Sequence, residues 1–123
     1  MAQIKKIDEL TRKNEYFRQV LATSKHTQVV VMSIKPGEDI GMEVHEDNDQ
    51  VLYLMDGSGQ VVLNGQSNEF NKDDLVLVPA GTEHNFIAGG EGMKILTSYS
   101  PPHHPDGTVH KTKAEAEAAE DSH

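Results

Sequence analysis

Glu43 and His45 stand two residues apart in the stretch 36–59, PGEDIGMEVHEDNDQVLYLMDGSG. Gly41, Glu43 and His45 alternate with Ile40, Met42 and Val44, which is the strand period. The alternation predicts a strand over 39–45, with Glu43 and His45 facing in and Ile40, Met42 and Val44 facing out. A short acidic turn, Glu46 to Asp49, leads into QVLYLM, which Gln50 opens. A carboxylate and an imidazole on one strand, with an amide across a turn, can converge on one point. That is the donor set a divalent metal needs on a sheet. Another imidazole, His84, follows the turn Pro79-Ala80-Gly81 at the start of a further apolar run.

The elements that must position these residues are short strands. Residues 7–13 could form one or two helical turns. Strands are expected over 17–23 and 28–34, the second ending at Pro36-Gly37, a strong turn signal. Beyond 39–45 come 50–55, a turn at 56–59, then 60–63 and 66–70 joined by Asn64-Gly65, a tight-hairpin dipeptide. Residues 75–78, 84–88 and 93–99 complete the set, with a turn at 89–92. Turn signals every eight to twelve residues indicate an antiparallel sandwich or barrel. Residues 101–107, PPHHPDG, read as a polar exposed loop, although His103, His104 and His110 could also make a second metal site or a lid. Residues 111–120 have high helix propensity and almost nothing large to bury, so a frayed surface helix or disordered tail is expected.

Composition narrows the function. The 123 residues fit one domain, and cysteine is absent, which excludes disulfides, thiol catalysis and thiolate ligands. A net charge of −9 disfavours nucleic acid and anionic membranes as partners. There is no apolar run long enough to span a membrane and no signal-peptide pattern, so a cytoplasmic location is expected. Nucleophile elbow, phosphate loop and dinucleotide fingerprint are missing.

Two separated motifs resemble the signature of the cupin superfamily. Gly37, Glu43, His45, Gln50 and Gly57 fall on the first motif with matching spacing. Asp73, Pro79, Gly81 and His84 fall on the second, with Ala88 where Asn is usual. The resemblance covers about residues 28–99 and implies an all-β fold, a double-stranded β-helix or jelly-roll barrel. Residues 1–15 would then be an N-terminal segment, 16–100 the barrel and 101–123 a loop and tail. It also implies a metal set of Glu43, His45, Gln50 and His84, in which Glu43 replaces the family's first His and Gln50 its Glu. Such mixed donors suit one divalent transition metal per chain, Mn, Fe, Co, Ni or Zn. A cupin that has lost its metal is the competing reading, with Gln50 the likeliest non-ligand.

The functional expectation is a metal-dependent enzyme on a small oxygenated molecule, isomerase- or epimerase-like or dioxygenase-like. The alternative is a non-catalytic module that binds a metal or small ligand. Glu43, Tyr53 and Tyr99 are the candidate proton carriers, and Leu52, Leu54 and Phe86 are expected to line the pocket. Small single-domain, RmlC-like cupins also resemble phosphomannose isomerase relatives. No phosphate clamp is visible, since the only arginines, Arg12 and Arg18, precede both motifs. The outward apolar stripe predicts a homodimer.

Overall fold

Two long antiparallel strands carry the architecture. In the computed structural model, which describes residues 2–121, the elements run α1 (Ile7–Lys13), β1 (Arg18–Thr23), β2 (Gln28–Ile34), β3 (Asp49–Leu63), β4 (Gln66–Asn71), β5 (Leu75–Val78), β6 (His84–Ser100), β7 (Val109–His110) and α2 (Lys113–Asp121). The strands form one seven-stranded sheet in the order β4-β3-β6-β2-β1-β7, with β5 also paired to β3. This is the expected all-β jelly-roll barrel. No helix among the described residues is long and apolar enough to cross a membrane.

Two expected turns are bends inside strands. Residues 50–55 and 60–63 belong to one strand, β3, and 84–88 and 93–99 belong to another, β6. They pair from Asp49↔Ser100 to Leu63↔His84, with register shifts between Leu54 and Asp56 and between Gly57 and Gly59. The glycines explain the second shift. A Cβ on Gly57 would lie 2.0 Å from the Gly92 carbonyl oxygen, and one on Gly59 would lie 2.1 Å from that of Ile87. The backbones approach too closely for any side chain, so the ribbon kinks and continues. Sequence signals for a turn and for a glycine bulge are the same residues.

The expected strand 39–45 is also corrected. It makes only isolated bridges, Asp39↔Ile87 and Glu43↔His84. Gly41 has φ +91°, and the backbone bonds step from Ile40–Phe86 to Glu43–His84, three residues against two. That slip reverses the alternation. Ile40 therefore enters the core beside the face of Glu43 and His45, while Met42 and Val44 stay exposed. Asp73 has φ +73°, a left-handed conformation that aspartate tolerates better than most residues.

Phe70, Phe86, Met32, Ile34, Leu52, Leu54 and Ile95 fill the barrel. The C-terminal segment is not a loose tail. β7 pairs with β1, Ala116 of α2 joins the core, and Lys113 makes an ion pair with Asp39. Residues 122–123 lie outside the described part.

Candidate metal centre and the cavity beside it

Glu43 and His84 face each other across the bridge and exchange both backbone hydrogen bonds at 2.9 Å. A directly opposed pair of this kind brings side chains onto one face. His45 is held by its carbonyl, which accepts from the Gly81 N–H at 2.9 Å. One ligand atom each from Glu43, His45 and His84 lies within 4.8 Å of the others. The His45 Nε2 and Glu43 Oε2 are 3.1 Å apart.

The donor set fits a metal ion. His84 Nδ1 lies 2.9 Å from the Thr82 carbonyl, so that nitrogen carries the proton and donates it. The Nε2 lone pair is then free, and Nε2 is buried without a partner among the described residues. Burial holds the His84 imidazole below its ordinary pKa, only partly offset by the Thr82 bond, which favours the neutral, ligating form. For Glu43, burial pushes the carboxyl up, but the His45 bond and the nearby Arg18 charge outweigh it and leave it below its ordinary value.

Gln50 is 2% exposed. Its Nε2 donates to Thr97 Oγ1 at 3.1 Å, and its Oε1 is buried with no partner among the described residues. A neutral oxygen acceptor is thus unspent, as an amide ligand requires.

Other expected site residues fall elsewhere. Tyr53 is on the outer face, and its hydroxyl donates to Asp73 Oδ1 at 2.6 Å, so it cannot serve a site inside the barrel. Tyr99 is fully buried, edge-on to His45 at 5.7 Å between ring centroids. Leu52, Leu54 and Phe86 belong to the packed core, with the Phe86 ring 6.2 Å from that of His84. The open space near the triad is lined instead by Arg18, Pro102, His103, His104, Pro105, Thr108, His110 and Ala119, with a volume of about 540 Å³.

His103 joins the two regions. Its ring is 4.4 Å from that of His45 and stacks on Tyr99 at 5.4 Å. Of the readings the sequence offers for this loop, a polar exposed segment, a second metal site or a lid, its position over His45 and Tyr99 fits the lid. Gln28, fully buried on β2, pins it: Oε1 accepts the N–H of both His103 and His104, and Nε2 donates to the His104 carbonyl at 2.7 Å. Asn48 adds a bond to the Pro101 carbonyl. His104 is pushed down to about 2, first by burial and then by the Arg18 charge. Neither Gln28 nor Arg18 carried a sequence signal, because each acts through partners more than seventy residues away.

Comparison with known proteins agrees with the fold. Residues 30–99 match the family model described as Cupin domain. The chain is 47% identical over 123 residues to the protein YrkC of Bacillus subtilis, spanning 94% of this chain and 66% of that one. The crystal structure of BH2720 from Bacillus halodurans superposes with a TM-score of 0.93 at 41% identity, covering 96% of this chain and 95% of that one. Acireductone dioxygenase of Aspergillus fumigatus is 29% identical over 89 residues, 68% of this chain and 50% of that protein.

Proposed function

The chain belongs to the cupin family, and on that premise we propose that it is a metal-dependent enzyme acting on a small oxygenated molecule. One divalent transition metal ion per chain is held by Glu43, His45 and His84, with Gln50 as fourth donor. The observation that carries this reading is the buried, unpartnered Nε2 of His84, whose tautomer Thr82 fixes, among the donors of Glu43 and His45. A buried nitrogen lone pair left empty is unfavourable, and a metal satisfies it. When bound, such an ion polarises an oxygen of the ligand.

The chain's own residues orient and move protons. Glu43 is kept ionised by its neighbours, so it can ligate or accept a proton. Tyr99, packed against His45 and His103, is the remaining tyrosine candidate for proton transfer. The similarity to a protein named acireductone dioxygenase supports dioxygenase-like chemistry over the isomerase-like form. Metal analysis of reconstituted protein, followed by oxygen-uptake and conversion assays on dicarbonyls, catechols and sugars, tests the reading. One metal per chain with turnover supports it. One metal without turnover leaves the non-catalytic binding module, and no metal rejects the metal-dependent enzyme and leaves only a module for a small ligand.

A homodimer belongs to the same reading. Leu75 and Leu77 are 61% and 58% exposed on β5, and Val29, Val51, Tyr53 and Leu96 extend the apolar surface around Leu75. A second copy seated there would bury it. Light scattering that returns 13.6 kDa at micromolar concentration would reject the dimer.

A further inference from the structure

Arg18 is a buried cation with no acid paired to it among the described residues. It is 2% exposed, and among the described residues no carboxylate lies within ion-pair distance of its guanidinium. One terminal nitrogen, Nη1, meets His110 Nδ1 at 3.3 Å. Nε is buried with no partner among the described residues. The edge formed by Nε and Nη2 is therefore unspent, and it belongs to a residue lining the 540 Å³ cavity. A guanidinium keeps its charge in a protein, so its burial here is unfavourable until an anion arrives.

The rest of the cavity is neutral. Among the described residues His104 Nε2 is a second buried ring nitrogen without a partner, and the other walls are prolines, Thr108, His110 and Ala119. His103 lines the same cavity and touches His45, so the cavity opens beside the triad. Glu43 is near enough for Arg18 to lower its carboxyl. That charge would be committed to a metal in the reading above, which leaves Arg18 still to be matched.

We propose that Arg18 is the anion-binding residue of the site and that the ligand is a small organic monocarboxylate. The carboxylate docks on the Nε–Nη2 edge in a two-pronged geometry and accepts an N–H from His104, while the remainder of the molecule reaches past His103 toward Glu43, His45 and His84. A single planar cation with a flat two-donor edge matches one carboxylate in charge and shape. A phosphate dianion would bring a second charge that nothing in the cavity balances. The proposal rests on the metal-centre reading for the ligand's orientation and for the commitment of the Glu43 charge.

Benzoate, benzamide and phenyl phosphate share a ring and differ in the head group, so they separate the chemistries. Their binding to the full chain is measured by calorimetry, in chelator-treated and in zinc-reconstituted protein. The Arg18 Nε–H NMR resonance is followed in the wild type. Benzoate is expected to bind at least about tenfold more tightly than benzamide or phenyl phosphate, and to shift the Arg18 Nε–H signal on titration. Arg18→Gln should lose that preference, and Arg18→Lys should recover part of it. Equal affinity for benzoate and benzamide in both preparations overturns the proposal. So does tighter binding of phenyl phosphate, or an Arg18 resonance that benzoate does not move. The NMR readout needs no variant to fold. Metal content is measured separately on the same protein, so failure of the metal centre and failure of the carboxylate site give different results.

Discussion

Glu43, His45 and His84 are set by backbone pairing, whereas Arg18, His104 and His110 meet only because distant segments dock. The triad needs a turn at Pro79-Ala80-Gly81, a bulge at Gly41 and one reciprocal pair of backbone bonds. The cavity needs β7 laid against β1, so that Arg18 pairs with His110 across 92 residues, and it needs Gln28 to hold the loop. Side chains fixed by neighbouring backbone are rigid before any ligand arrives. Side chains fixed by a docked loop keep their positions only while that loop stays seated. The two groupings should therefore respond differently to substitution and to pH.

The largest effect belongs to the triad. His84→Ala and His45→Ala should each lose metal, with affinity falling more than about 100-fold, because loss of a direct ligand exceeds the ~10–100-fold cost typical of supporting groups. Glu43→Ala should do the same, since it removes the only negative charge in the set. Competition with a chelator measures this, with circular dichroism to check the fold. Retention of full affinity in either histidine variant would leave the triad without a metal.

How much of this could be read from the chain follows the same division. Gly37, Glu43, His45, Gln50, Pro79, Gly81 and His84 are recognisable because the fold sets their spacing along the chain, and that spacing is what a sequence displays. Ile40 departs from the expected outward face because period-two alternation holds only while the backbone stays extended, and Gly41 breaks it. Gly57, Gly59 and Gly92 looked like turns because a glycine needed for close approach of two strands is indistinguishable in sequence from one needed for reversal. Tyr53 and Tyr99 looked alike as strand tyrosines, and register alone puts one outside against Asp73 and the other inside against His45. Arg18 precedes both motifs, and nothing local in the sequence reveals the strand pairing that carries it to His110. The docking of the tail leaves little trace in the sequence because Ala116 is small, yet a small residue suffices where a helix lies close on a barrel.

Gln50 should show an intermediate effect. Its Oε1 has no partner among the described residues, but water can replace a neutral carbonyl. Gln50→Ala is expected to keep metal with affinity reduced ~10–100-fold. Gln50→Glu should tighten binding by adding a charge at the same point. If Gln50→Ala abolished binding while Glu43→Ala kept it, the carboxylate would be the bystander.

The smallest effect is a pH slope, and it separates the docked loop from the rigid triad. His104 is held down to about 2 in the folded protein, first by burial and then by Arg18, His103, His110 and His45 around it. Unfolded, it titrates near ~6.5. Between those values the unfolded chain binds a proton that the folded chain refuses. Stability is therefore full above about pH 6.5 and falls as pH drops, by up to ~1.4 kcal/mol per unit for one such group. The loop can lift and let His104 protonate, which caps the loss well short of the full window. His104→Phe keeps a flat ring among Tyr99, His103 and His110 but cannot take up the proton. Urea unfolding at pH 7, 6 and 5 should show a shallower loss of stability for His104→Phe than for wild type. Hydrogen exchange should show the His103 and His104 amides, both held by Gln28, opening first as pH falls. Parallel slopes for the two proteins would mean that the loop carries no acid sensitivity of its own. The docked cavity would then be as rigid as the triad beside it.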